Sequence, residues 1–176
     1  MFTKTAVSTK ILVIVALFVA LSFVGSQVRL FGSIAFDSLP GFLAALLLGP
    51  MYGAAIGFLG HLISAMTAGF PLSVPLHLVI AGAMALSMYG FGIAYRTLSK
   101  KLSQVAALTI AGVIGTILNG PVSLAFSMGA LWLMAGREAA FGLLALLPIL
   151  ILAAVANIAI SIVLFKQLER VWNKLI

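Results

Sequence analysis

Asp37, His61, His77 and Asn119 are among the few side chains in long apolar stretches that can exchange hydrogen bonds or protons. A carboxylate accepts from hydroxyls and amines, an imidazole donates or accepts, and a carboxamide does both. Together they could hold a small polar ligand. Each also has a plainer role. Asp37 precedes Leu39-Pro40, where an Asp N-cap with Pro in the first turn would start a helix. Ser38 could cap instead, which would free Asp37 for a ligand. His77 alone reads as an interfacial anchor, but His61 and His77 flank the loop AGFPLSVP and so raise a shared site. Two histidines and one aspartate match no recognised metal spacing, so no metal is expected. Asn119-Gly120-Pro121 interrupts a helix, because Pro121 cannot donate to the carbonyl of Ile117. Asn119 then either satisfies that carbonyl or points into a pocket.

The aromatics Phe36, Phe70, Trp132 and Phe141 stand near segment ends. They form either an aromatic belt or stacking surfaces for a flat ligand. Gln27, Arg29, Arg137 and Glu138 are loop residues on the same side. No Walker A sequence is present, so no ATP hydrolysis by this chain is expected. No carboxylate pair or Ser/His/Asp set is arranged for catalysis. A small membrane enzyme using Asp37, His61 and His77 remains the rival class, and a ligand-free scaffold protein is another. There is no evident inverted repeat for a self-sufficient transporter and no ring of charge for an ion filter.

These residues sit in a chain that must live in lipid. Hydrophobic residues make up 64% and charged residues 7%, with mean hydropathy +1.29. A soluble domain would carry about a quarter charged residues. The 176 residues therefore read as one integral membrane domain, residues 1–176. Cysteine is absent, which excludes disulfides and thiolate sites. The net charge of +7 sits at segment ends and reports topology, so no nucleic-acid partner is expected. Residues 1–28 lack a clear small-x-small cleavage site and read as a retained first helix, not a signal peptide.

Six helices are predicted: Val7–Val28, Leu39–Leu48, Met51–Ala68, Leu76–Tyr95, Val105–Leu131 and Phe141–Phe165. Gly49-Pro50 is the turn between the second and third. With six spans, both termini share one side with Lys4, Lys10, Arg96, Lys100, Lys101, Lys166, Arg170 and Lys174. The other side keeps only Arg29 and Arg137. That bias predicts an all-α bundle of six transmembrane helices with both termini cytoplasmic. The second helix is too short for the roughly 20 residues of a full span. Irregular backbone at membrane depth must be buried or line a cavity. A short second helix therefore predicts an outer pocket roofed by the first loop.

Gly49, Gly53 and Gly57 recur every four residues, and His61 continues the row. Small residues let helices approach closely in lipid, so this face is predicted to pack internally. Ala16 and Ala20 make a smaller AxxxA face on the first helix, and internal packing is the first reading of that face as well.

The segment FDSLPGFLAALLLGPMYGAAIGFLGHL, the following GFPLSVPLH, the AxxxA face and Asn119 resemble the substrate-binding S component of energy-coupling factor (ECF) transporters, over essentially the whole chain. The resemblance implies a bacterial plasma-membrane protein that is not an enzyme. It implies binding of a vitamin or its precursor in an outward pocket, with no cofactor. It further implies a membrane scaffold subunit and two ATPase subunits as partners, with lipid around them. Ala16 and Ala20 would dock on the scaffold. The substrate-binding set would be Gln27, Phe36, Asp37, His61, Phe70, His77, Asn119 and Trp132. The FDSLP and GFPL…H segments resemble the branch proposed for α-ribazole, the nucleoside of the lower cobalamin ligand. Riboflavin and pantothenate are the alternatives. The metal-binding branch carries a histidine next to the initiator Met, and residue 2 here is Phe.

Overall fold

The computed structural model describes residues 8–27, 29–30 and 34–175. Val7 and Val28, the predicted limits of the first helix, and Lys4 lie outside them. Helix α1 spans Thr9–Gln27, α2 Leu39–Leu47, α3 Pro50–Thr67, α4 Val74–Leu98 and α5 Gln104–Ile117. A π-helical turn, Leu118–Val122, joins α5 to α6, Ser123–Ala135. A short α7, Arg137–Gly142, and a 3-10 turn, Leu143–Leu146, lead into α8, Leu147–Leu175. The first loop, predicted without secondary structure, carries a minimal antiparallel ladder of β1, Arg29–Leu30, with β2, Ile34–Ala35.

Among the described residues, four continuous helical stretches are long and apolar enough to cross a membrane: 9–27, 74–98, 104–135 and 137–172. The chain is therefore a helical protein with the spans of a multi-pass membrane protein. Helices α2 and α3 form a hairpin within it. At nine residues, α2 rises only about 13.5 Å, less than half of a bilayer core. Every residue from Pro40 to Leu46 is buried. It is hydrophobic on all sides because α1, α3, α4 and α8 all pack against it. Phe42 at its centre meets Phe91 of α4 edge-on, with ring centroids 5.2 Å apart.

Glycine makes that burial possible. Gly53 and Gly57 on α3 are buried, as the internal-packing reading expects. A Cβ at Gly53 would come within 2.9 Å of the Ala45 Cα and the Gly41 carbonyl oxygen, both α2 backbone. At Gly57 the obstruction is the flexible Met88 side chain. Gly49 belongs to the turn instead of the packing face. Its φ of 124° is open essentially to glycine alone. Beside it the Arg96 Nη2 donates to the Leu48 carbonyl (3.4 Å), one of the carbonyls α2 leaves unpaired.

Three boundaries move for identifiable reasons. Helix α4 begins at Val74, two residues before its predicted start, because Ser73 caps it and accepts from the Leu76 N–H (3.3 Å). Helix α8 runs through the basic tail to Leu175, where the sequence reading stopped at Phe165. Lys166, Gln167, Leu168, Glu169 and Arg170 are good helix formers with no breaker among them. Glu169 there accepts from the Gln104 amide at 2.7 Å. The proline interruption widens into a π-turn, so Pro121 stays within continuous helix.

Ala16 and Ala20 are exposed, on a face of α1 shared with Leu12, Val13, Leu17, Leu21 and Val24. This corrects the internal-packing reading of the AxxxA face. The bundle packs on the opposite face, where Phe18, Ser22 and Ser26 are buried.

Candidate functional site

A cavity of about 200 Å³ lies at the end of the bundle away from Arg96 and the Gln104–Glu169 contact. Asp37, Ser38, His61, Asn119, Ser123 and Asn157 supply its polar groups. Ile80, Met84, Leu150 and Ala153 supply its apolar walls. The short α2 creates this space, since α2 stops well inside the bundle and Asp37 and Ser38 sit at its start.

Helix α2 takes its N-terminal cap from elsewhere. Ser38 makes no side-chain cap bond. The Leu39 N–H instead donates to the Asn157 Oδ1 at 2.9 Å, across 118 residues of sequence. The Asn157 Nδ2 donates to the Ala153 carbonyl at 2.8 Å, which fixes the amide orientation. Asn157 is 1% exposed, and the sequence reading missed it. A lone asparagine inside the apolar run Phe141–Phe165 was the available signal.

With capping supplied by Asn157, Asp37 faces His61. Its Oδ2 lies 3.7 Å from the His61 Nδ1. The His61 Nε2 is 3.1 Å from the His77 Nδ1, and the rings stack with centroids 5.3 Å apart. The His77 Nε2 is 2.9 Å from the Pro71 carbonyl. The loop supporting this chain is bent through left-handed residues, Gly69 (φ 76°), Phe70 (φ 49°) and Leu72 (φ 74°). Non-glycine residues there store about 1–3 kcal/mol each, so surrounding contacts must hold them. One such contact is Phe70 edge-on to His77, at 5.8 Å.

Asn119 sits on the π-turn, lines the cavity and makes no hydrogen bond to a described residue. Of the other residues in the predicted substrate set, Gln27, Phe36, Phe70 and Trp132 fall outside the lining. The Gln27 amide donates to the Ser26 hydroxyl at 3.0 Å and the Phe36 N–H donates to the Gly25 carbonyl at 3.1 Å. Trp132 is 54% exposed and meets Phe141, over which Arg137 also lies at 5.5 Å. The aromatic-belt reading describes that cluster better than ligand stacking. His77 stands behind His61, outside the lining itself.

A larger hollow of about 410 Å³ runs between α5 and α8. Its lining is apolar except for Thr109 and Thr116, and Thr109 donates back to the Val105 carbonyl. It offers nothing to orient a ligand. No group of three or more His, Cys, Asp or Glu able to hold a metal occurs among the described residues.

No curated protein matches the chain significantly. The family model described as the substrate-specific component of ECF transporters matches residues 10–168, and the chain belongs to that family.

Proposed function

We propose that this protein captures a vitamin precursor, α-ribazole as the first candidate, for import driven by two separate ATPase subunits through a membrane scaffold subunit. As an ECF substrate-specific component it is a transporter's substrate-binding subunit and not an enzyme, which removes the membrane-enzyme alternative. In our reading it lies in the bacterial plasma membrane. The α2–α3 hairpin completes six spans, both termini are cytoplasmic, and the cavity opens outward. The charge bias of the loops supports that orientation.

One observation carries the substrate reading. Asp37, His61, Asn119 and Asn157 converge on a cavity that also has an apolar floor. Such a surface suits a neutral ligand with one flat apolar part and several hydroxyls or ring nitrogens. At about 200 Å³ the space is below the roughly 300–1,000 Å³ of drug-sized ligand pockets. That favours the smaller candidates, α-ribazole and pantothenate, over the three-ring riboflavin. Pantothenate carries a carboxylate, and among the described residues the lining sets Asp37 against it with no Lys or Arg to balance. Apolar contact with the base falls to Ile80, Met84 and the His61 ring, in place of the outlying aromatics.

The test is mass spectrometry of small molecules released from purified, denatured protein, with thermal-shift assays against α-ribazole, riboflavin and pantothenate. Release of a benzimidazole nucleoside, or stabilisation by α-ribazole alone, is the expected result. A flavin or pantothenate in its place would transfer the assignment. No small molecule and no shift with any of the three would sink the vitamin reading.

A further inference from the structure

The Asp37–His61–His77 chain makes three contacts and, with both rings neutral, has two N–H groups to serve them. A carbonyl only accepts, so the His77 Nε2 must carry a hydrogen to bond Pro71. If His77 is neutral, its Nδ1 is then a lone pair, and the His61 Nε2 must donate to it across 3.1 Å. A neutral His61 consequently turns a bare Nδ1 towards the Asp37 carboxylate 3.7 Å away, acceptor against acceptor. The His61 Nδ1 is buried and lacks a hydrogen-bond partner. Reversing the His61 tautomer moves the clash to the His77 contact without removing it. One added proton removes the opposition. It makes one of the rings an imidazolium and turns an N–H towards Asp37 at ion-pair distance, 3.7 Å.

Among the described residues no other charge lines the cavity to do this work. The described lining holds no Lys, Arg or Glu, and the α4, α6, α8 and π-turn walls present His77, Ser123, Asn157 and Asn119 to the pair. Among the described residues of α1 and α2, no charged side chain lines the cavity. Arg137 and Glu138 also lie outside the lining. The outer end of the chain, at the His77 Nε2 and Pro71, reaches exposed surface and gives the proton a route to solvent.

We propose that the empty cavity stores one proton on the Asp37–His61–His77 chain, and that a neutral ligand with two adjacent hydroxyls displaces it on binding. A diol offers two O–H donors side by side, one for the Asp37 Oδ2 and one for the His61 Nδ1. Those are the two acceptors left facing each other once the proton has gone. The idea rests on the reading of this cavity as the ligand site.

Two measurements test it. The chain contains only two histidines, so nitrogen NMR of histidine-labelled protein in nanodiscs gives two imidazoles, assigned with His77→Asn. In the empty protein at about pH 8, where an ordinary imidazole is neutral, one imidazolium is expected, and none in Asp37→Asn, whose amide donates to the His61 Nδ1 without a proton. Two neutral rings in the unsubstituted empty protein would overturn the stored proton, whatever the ligand proves to be. The second measurement is calorimetric titration of α-ribazole in buffers of different ionisation enthalpy. Release of one proton is expected, with Kd falling about tenfold per pH unit while the proton is held. Binding of α-ribazole with no proton release and a flat pH profile would overturn the displacement and leave the substrate reading intact. Absence of binding would instead strike the substrate reading, and the NMR result would still decide the proton.

Discussion

Two neighbouring polar residues divide the work at the start of α2. Asp37 has a side chain directed at His61, while Asn157 holds the Leu39 N–H. Their substitutions should therefore separate. Asp37→Ala is expected to weaken ligand binding at least tenfold and to cost less stability than the loss of the cap, since it removes no cap. Asn157→Leu strips α2 of its capping acceptor inside the bundle. It should cost about 1–3 kcal/mol, read as a lower midpoint of thermal unfolding in detergent, in addition to weaker binding. Equal stability losses in the two variants would show that Asp37 also supports α2. Asn119→Ala should weaken binding without unfolding, because that carboxamide has no described partner to lose.

At the scale of elements, the α2–α3 hairpin depends on close backbone approach. Gly53 faces backbone atoms of α2, which cannot step aside, whereas Gly57 faces the flexible Met88. Gly53→Ala should therefore destabilise by about 1–3 kcal/mol, and Gly57→Ala by clearly less. Parallel thermal unfolding of the two variants checks the order, and the reverse order would mean that α2 shifts easily. The glycine row was legible in the sequence because small residues every four positions mark one helix face. The nine-residue length of α2 was legible too, from Pro40 and Gly49-Pro50. The π-turn was not, since proline signals an interruption without specifying its form. Nor was the extension of α8, where a charged tail suited to solvent is also suited to helix.

For the whole molecule, the exposed face of α1 that carries Ala16 and Ala20 is the surface we propose for the scaffold subunit. Ala16 and Ala20 lie outside the core, so a large side chain there has room in the isolated subunit. Ala16→Trp is expected to leave ligand affinity and unfolding midpoint unchanged. It should abolish uptake in cells or proteoliposomes containing the scaffold and ATPase subunits. Loss of ligand binding in that variant would place the face inside the fold after all.

Composition and spacing by themselves determined the membrane class, the helical periodicity, the close-packing glycines and the family resemblance. Each of these is a property of neighbours along the chain, or of the solvent the chain must satisfy. Only the tertiary structure decided which polar groups meet. It placed Asn157 on the end of α2, turned Asp37 towards His61, joined His61 to His77, and left Trp132 outside the cavity. The reason is physical. A buried N–H must find an acceptor, but nothing in local sequence says whether it comes from the adjacent serine or from a helix more than a hundred residues away.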